Sequence, residues 1–586
     1  MRQSLKGHLI ALGGFLGLSL LMTWPLGFSA GAGVLGENLD LTAALYNLWW
    51  FFYAVVKLHA SPWWNPLINF PQGYPMVFYP IHFPYGLFSL PFQILLPAPQ
   101  GVTLAYNLAL VLSFTLTGYF TFLLARDLTG SARAGAIAGL IFAFCPYHFW
   151  ALSRPHVVST EFLVLAALFL LRTLRSEKNA PALALGLALA LLAYASPTYL
   201  VYFFLFAVLG GIFLLATERS ILLRRSLIRQ LLFSALVFVP LFLPLLCRMV
   251  GDYLGRAVPI RPEESLPLLY SGNLLGYFLP GNTQDLYHGA AARLPACLAD
   301  LERPYGVGGY EIFLGYTALA LALVGALRRR AAGAGLWIFT AVLFFLLSLG
   351  PRLHAGAHTF PAWPLPQAWF SAVLPILRED RSPVRYMVLT ELSLAILAGF
   401  GLFALRDRLS NRAHLALTMA LGALVLAEFS QAPLPVSPLP IPAFYQRLAD
   451  EPGDFAVLDL PLLPDVYRYS GTYQRFHHKR LVIDLTGRKS DERTRKDPLF
   501  RCLDIPAHFF SLSPPEQARA KAEILKEMAA RRLRYVILFR RFLSPAQEDR
   551  LIQLLRRLDP VEERREDGSF VIFKFAIAGN GKVSGK

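Results

Sequence analysis

The sequence predicts an α-helical polytopic membrane protein that ends in a small α/β domain. Three observations predict it. Of the 586 residues 55% are hydrophobic and only 16% charged, against roughly 25% charged in a soluble globular protein. The apolar residues fall in blocks of about 20, enough to cross a bilayer. From residue 433 onward the blocks stop and charged sequence with short β-type runs begins.

Apolar blocks lie at 8–28, 102–125, 134–150, 157–173, 180–196, 198–216, 228–247, 309–327, 333–350, 384–406 and 412–432, about eleven spans by length. The first follows Arg2 and Lys6, as a signal peptide would, but its run from Leu9 to Phe28 exceeds the roughly 7–15 residues of a signal core. It reads as an uncleaved span. Residues 82–97 are short, broken by proline and without flanking charge, and whether they cross sets the parity of everything after them. If they do not cross, the basic connections Arg126 to Arg133, Arg172 to Lys178, Arg219 to Arg229, Arg328 to Arg330 and Arg406 to Arg412 all share the side of the N-terminus. Lys and Arg concentrate in cytoplasmic loops. The reading is therefore a bacterial-type cell-membrane protein with a cytoplasmic N-terminus and an extracytoplasmic C-terminal region.

That parity places the long connections 29–101, 248–308 and 351–383 outside. Trp49, Trp50, Trp63 and Trp64 in the first suit helices lying at the membrane interface. Prolines in the other two, among them Pro259, Pro262, Pro361 and Pro364, point to shaped irregular backbone. The formal net charge of +17 would suggest nucleic acid in a soluble chain, yet much of it serves to orient spans, so no nucleic-acid partner is expected. A proline-rich hinge at 432–442 divides the chain into a membrane domain, 1–432, and a soluble domain, 433–586. In the latter, 455–460, 535–539 and 570–575 read as buried strands, and 515–531 and 545–558 as helices.

Cys145, Cys247, Cys297 and Cys502 have no metal-ligand spacing; Cys297 and Cys502 would share the oxidising side, where a disulfide is an open option. No Walker loop, dinucleotide fingerprint, nucleophile elbow or zinc spacing is present, which argues against a nucleotide-driven pump. No metal and no cofactor is predicted.

The remaining chemistry is acidic and basic residues on the outer side. Asp40 opens a helix-like run (Tyr46-Asn-Leu-Trp-Trp50) and is either a helix N-cap or a base. Glu37 stands three residues earlier. Glu161, Asp252 and Glu311 are candidate second acids. Arg154, His156, Arg261, Arg352, Arg378, Arg381 and Arg385 lie where the charge rule disfavours them, so an anion such as a lipid-linked phosphate is the natural partner. The alternative for the last three is a local salt-bridge cluster with Glu379 and Asp380. The basic run His477 to Arg480 reads as a surface of the soluble domain.

The acidic residue in Gly36-Glu-Asn-Leu-Asp40, the following Tyr46 to Trp50, Asn69-Phe-Pro-Gln-Gly73, Leu349-Gly-Pro351 and Leu377-Arg-Glu-Asp-Arg-Ser-Pro-Val-Arg-Tyr386 resemble the GT-C superfamily of membrane glycosyltransferases, in a bacterial branch related to YfhO-type proteins. The resemblance implies a GT-C-like transmembrane fold and a polyprenyl-phosphate sugar donor embedded among membrane lipid. It implies an acceptor glycan, lipid or protein outside, with Asp40 or Glu37 as general base and the outer basic residues on the donor phosphate. Two other classes stay open: a transporter or lipid flippase, and a non-catalytic membrane assembly protein.

Overall fold

The computed structural model describes residues 5–29, 33–35, 39–79, 81–222, 224–255, 266–281, 285–287, 312–328, 333–356, 358–437, 441–483, 497–504 and 506–576. Among them eight helices are long and apolar enough to cross a membrane, and three shorter apolar ones accompany them. In chain order the helices used below are α1 (Leu5–Met22), α2 (Leu39–Phe52), α3 (Phe83–Leu95), α4 (Gln100–Thr129), α5 (Ala132–Phe144), α6 (Pro146–Trp150), α7 (Pro155–Val158) and α8 (Glu161–Arg175). They continue with α9 (Ala180–Ala195), α10 (Pro197–Thr217), α11 (Arg225–Leu254), α12 (Tyr316–Arg328), α13 (Ala334–Ser348), α14 (Pro366–Val373), α15 (Met387–Leu405) and α16 (Asn411–Phe429). Each of the eleven apolar blocks is matched by one of these helices or by a run of them.

Local chemistry explains the turns. Gly130 ends α4 in the left-handed conformation at φ 70°, and the Ser131 side chain accepts the Ala134 N–H to start α5. Ser196 and Ser410 cap α10 and α16 in the same way. Residues 82–97 form α3, only 13 residues with Pro91 inside it. The segment after α1 and the first turns of α4 meet at one end of the bundle, where Asn107 Nδ2 donates to Ser29 Oγ at 2.7 Å and to Gly33 O at 3.1 Å. α3 therefore returns to the end it left and does not cross.

α15 runs through the centre and is buried on all sides, in keeping with a sequence that is apolar all round apart from Thr390, Glu391 and Ser393. It crosses α12 at a mutual contact of small residues. A Cβ added at Gly325 would run into the Leu397 carbonyl, and one added at Gly401 into the Leu321 carbonyl. The segment 351–383 holds more regular structure than its prolines suggest: strands β2 (Arg352–Ala355) and β3 (His358–Pro364) make an antiparallel hairpin, followed by α14. The prolines are accommodated at the strand edge and in the first turn of α14, where no backbone N–H is needed. Before it β1 (Val34–Leu35) pairs with β4 (Val436–Ser437), tying the first long connection to the C-terminal hinge.

The C-terminal sheet domain comprises α17 (Ala443–Asp450), β5 (Ala456–Leu460), α18 (Pro464–His477), β6 (Arg480–Leu481), α19 (Pro514–Ala530), β7 (Leu533–Phe539), α20 (Pro545–Arg556), β8 (Glu562–Glu566) and β9 (Phe570–Lys574). The strand order is β8-β9-β7-β5-β6, with β6, β5 and β7 parallel and β7, β9 and β8 antiparallel. Capping boxes at Ser513/Glu516 and Ser544/Gln547 start α19 and α20. The strands and the two helices expected here are present within one or two residues. Cys502 is a buried free thiol, whereas Cys297 lies outside the described residues.

This domain is docked on the first long connection. α18 lies parallel to α2: Asp40 faces Arg468 and Tyr46 faces Gln474, both pairs 428 residues apart, and Trp49 stacks on His478 at 5.7 Å. Residues 67–70 make three backbone hydrogen bonds to 481–483 beside β6: Leu481 N to Leu67 O, Phe70 N to Leu481 O and Asn69 N to Ile483 O. Two expectations change here. Trp49 and Trp50 are buried instead of lying at a lipid interface: Trp49 packs against His478, and the Trp50 indole donates to Pro62 O within the first connection. His477 is not a solvated surface: it is buried against Tyr445 within the sheet domain. His478 stays exposed, as a surface residue would, and packs one face on Trp49 and Tyr53.

Asp459 sits wholly buried in β5, accepting a hydrogen bond from Tyr445 at 3.1 Å. Burial pushes its carboxyl up to about 7. An unfolded Asp titrates near 3.9, so the folded chain keeps a proton that the unfolded chain releases, and stability falls as pH rises from about 4 to about 7. Protection factors of the β5 and β7 amides, with the intrinsic pH dependence of exchange divided out, are expected to fall across that window in the wild type and to stay flat in Asp459→Asn. At the helix crossing, Gly325→Ala or Gly401→Ala is expected to cost about 1–3 kcal/mol by overpacking and to lower the melting temperature of the detergent-solubilised protein, whereas Gly13→Ala, with nothing near it, leaves it unchanged.

Candidate active site

Asp40 stands inside the first turn of α2, where a carboxylate complements the helix dipole; the helix begins at Leu39, so Asp40 is not its N-cap. Its Oδ2 accepts from Arg154 Nε at 2.8 Å, and its Oδ1 lies 3.6 Å from Arg468 Nη2. Arg154 is fixed from two directions: its guanidinium lies 4.4 Å from the Trp150 ring centroid, and Nη1 donates to Trp150 O. Pro146 and Pro155 start α6 and α7 and break the chain between α5 and α8 into the short turns that carry Arg154.

His156 follows on α7. Its Nδ1 is buried with no hydrogen-bond partner among the described residues, and it lies within electrostatic reach of Arg385, Arg154 and His82. The Tyr199 hydroxyl holds the neighbouring Val157 carbonyl at 2.6 Å and takes a hydrogen bond from Tyr147. Arg385 comes from the 3₁₀ turn Pro383–Tyr386 ahead of α15, and its Nε is also buried without a partner. Asp380 shapes that turn: it accepts from the Tyr202 hydroxyl at 2.5 Å and from Ser382 N at 3.1 Å, while Tyr202 stacks on Tyr386 at 4.2 Å. His82 caps α3 through Nδ1, leaves Nε2 buried and unpartnered, and is pushed down to about 3 by burial, so it stays neutral.

The structure thus gathers Asp40, Arg154, His156 and Arg385 at one end of the bundle. The other expected residues divide. Glu37, Arg261 and Glu311 lie outside the described residues. Arg352 starts β2 and is exposed. Arg378 donates to Ser371 O and Ala372 O, closing the carbonyl end of α14, and Arg381 is half-buried in the turn after Asp380. Glu161 is buried and accepts from Ser113 and Ser159, each at 2.7 Å, and from Tyr85. Asp252 pairs with Arg248 one helical turn away. Among the described residues no group of three or more His, Cys, Asp or Glu converges as a metal site would.

Two charged residues were missed. Arg468 reaches Asp40 from the sheet domain, a long-range contact with no local signature in sequence. Glu391 is buried in α15 with neither carboxylate oxygen hydrogen-bonded; a single acid in an apolar run was its only signal. Chemically, the gathered residues offer a carboxylate to take a proton and guanidinium and imidazole donors to hold an anion.

The bundle and sheet domain define a GT-C-type membrane fold. The Archaeoglobus fulgidus oligosaccharyltransferase, solved in complex with Zn and sulfate, superposes with a TM-score of 0.51 at 15% identity, over 91% of this chain and 67% of that one. A further match is ArnT from Cupriavidus metallidurans bound to undecaprenyl phosphate, with a TM-score of 0.45 at 12% identity, over 97% and 98% of the two chains. The chain belongs to the family described as "Domain of unknown function (DUF6311)", whose model matches residues 11–427. No curated protein matches it.

Arg468→Glu sets two carboxylates against each other across the α2–α18 contact. Limited proteolysis at the 432–442 hinge is expected to speed up several-fold, and Arg468→Lys to stay near the wild-type rate.

Proposed function

We propose that the chain is a GT-C-type glycosyltransferase that moves a sugar from a polyprenyl-phosphate donor to a hydroxyl of an extracytoplasmic acceptor, be it glycan, lipid or protein. The observation that carries this reading is the convergence of Asp40 with Arg154, His156 and Arg385, two of which bury nitrogens with no protein partner among the described residues. The fold shared with an oligosaccharyltransferase supports it, as do the sequence motifs that resemble the YfhO-type branch. The basic connections, all on the side of the N-terminus, support a reading in which the Asp40 end is outside and the N-terminus cytoplasmic. In this reading 1–432 holds the donor and 433–586 borders the acceptor.

The acceptor hydroxyl gives its proton to Asp40 as its oxygen attacks the anomeric carbon. The bond from that carbon to the phosphate oxygen breaks, and the lipid phosphate leaves with the bonding pair. Arg154, His156 and Arg385 hold its oxygens, the guanidinium groups through bidentate donors. Donor phosphate competes with Asp40 for Arg154, so donor arrival itself frees Oδ2 for the acceptor. Glu37 is the second candidate base. Arg261, Arg352 and Arg381 are left to line the approach, while Arg378, already donating to two carbonyls, serves its own loop.

Incubation with a panel of polyprenyl-phosphate sugars, read as sugar loss and free lipid phosphate, tests this. Asp40→Asn is expected to lower turnover by about 100-fold or more. Arg385→Ala should raise KM for the donor about tenfold, and Arg378→Ala should leave it unchanged. Wild-type turnover by folded Asp40→Asn would overturn the assignment.

A further inference from the structure

The end of the bundle opposite Asp40 holds a cavity of its own. Tyr106 of α4 donates to Leu152 O, two residues before Arg154, so this stretch of α4 lies at the Asp40 end. Arg126 stands about 30 Å further along the same helix, a full hydrocarbon thickness away. His8 of α1 hydrogen-bonds the Tyr119 hydroxyl at 2.7 Å, which brings the start of the chain to this end as well.

A cavity of about 600 Å³ opens here between the last turns of α4 and α8 and the first turns of α5 and α9. Both α4 and α8 run toward this end, so depth follows residue number. Leu124 lies deeper than Arg126, and Leu168 lies one turn deeper than Arg172; all four line the cavity, with Asp127 and Arg175 at its mouth. Three guanidinium groups against one carboxylate leave the mouth positive. Asp127 organises them: Oδ2 accepts from Arg172 Nε at 2.7 Å, Oδ1 lies 3.8 Å from Arg126 Nη2, and the Asp127 carbonyl accepts from Arg175 Nη1 at 3.1 Å. Aromatic rings hold two of the guanidinium groups further, Phe122 at 5.5 Å from that of Arg126 and Phe169 at 5.5 Å from that of Arg172.

The charge rule brings arginines to this end of the bundle, but it does not make them converge. Others at this end are committed one by one. Arg133 donates to Asn411 Oδ1, Arg224 to Thr173 O and Leu174 O, Arg229 to Glu177 O, and Arg406 pairs with Asp407. Arg224 and Arg229 thereby close the carbonyl end of α8, so Arg172 and Arg175 are not needed there and turn to α4 instead. Guanidinium at the mouth and leucine beneath it suit an amphiphile. A phosphate meets bidentate donors, and the first methylenes below it meet the apolar wall. A free phosphate would leave that wall without a partner.

We infer that the cavity between α4, α5, α8 and α9 binds the phosphate headgroup of an anionic phospholipid from the leaflet on the N-terminal side, through Arg126, Arg172 and Arg175. The site is separate from the cluster of Arg154, His156 and Arg385 and does not depend on the reaction proposed for the Asp40 end.

Native mass spectrometry of the delipidated full chain tests this, with dioleoyl phosphatidylglycerol and dioleoyl phosphatidylcholine as probes and inorganic phosphate as competitor. The first phosphatidylglycerol should bind about tenfold tighter than the first phosphatidylcholine. Arg172→Gln together with Arg175→Gln should bring that ratio to about one. Arg406→Gln together with Arg408→Gln removes the same charge from another connection at this end and should leave it near the wild-type value. Arg175 is exposed, so Arg175→Gln alone keeps the fold and should still lower the ratio about threefold. Equal binding of the two lipids, a preference that survives the Arg172 and Arg175 pair, or an equal loss in the Arg406 and Arg408 pair overturns the inference. Displacement of bound phosphatidylglycerol by millimolar inorganic phosphate would make the site one for a free anion and overturn the lipid assignment.

Discussion

The parallel contact between α2 and α18 is the constraint on which the rest of the outer face depends. The contact has three levels: an ion pair at Asp40 and a buried hydrogen bond at Tyr46 share one residue offset, and a ring stack of Trp49 on His478 follows just past the end of α18. The middle level is the most demanding. The Tyr46 hydroxyl donates to Gln474 Oε1 and accepts from Asn65, while Gln474 Nε2 donates to Leu67 O and Lys479 O. A one-residue slip would leave several buried polar groups unpaired, each costing about 1–3 kcal/mol. The register is therefore specified, and with it the distance from the sheet domain to Asp40.

Charge is distributed unevenly around that contact. On the bundle side, Arg154 is committed to Asp40 while His156 and Arg385 keep buried nitrogens open. Leaving such atoms unpaired costs free energy that a folded chain rarely accepts without compensation. Burial of His82 beside them keeps a further positive charge out of the cluster. In the proposed transferase reading an anion fits between two guanidinium groups, and the carboxylate and that anion are rivals for one donor.

The bundle was legible because a span announces itself locally. Twenty apolar residues need no knowledge of their neighbours, and the basic connections made α3 recognisable as a segment that turns back. Strands 456–460, 533–539 and 570–574 were legible for the same reason, as short apolar runs between turns. Asp40, Arg154, His156 and Arg385 were visible as charges on an unexpected face. What could not be read was pairing across hundreds of residues. Trp49 has the composition of an interface anchor and His477 that of a surface patch, and only the packing of α2 on the sheet domain and of α18 on Tyr445 buries the two. Arg468 looked like any helix-surface arginine until its partner was in place.

The hydrogen bonds from residues 67–70 to the β6 edge also bear on how the chain is made. The earlier segment of that contact leaves the ribosome about 400 residues before the later one, as the Leu67–Leu481 pair shows. Throughout the insertion of the following spans its N–H and C=O groups stay without their final partners, and the parallel sheet that receives them is slow to form because its contacts are non-local. Assembly of the outer face is thus a late event in biogenesis. A chain arrested before residue 481 would display an unfinished edge on the membrane surface, the kind of edge that invites pairing with another chain.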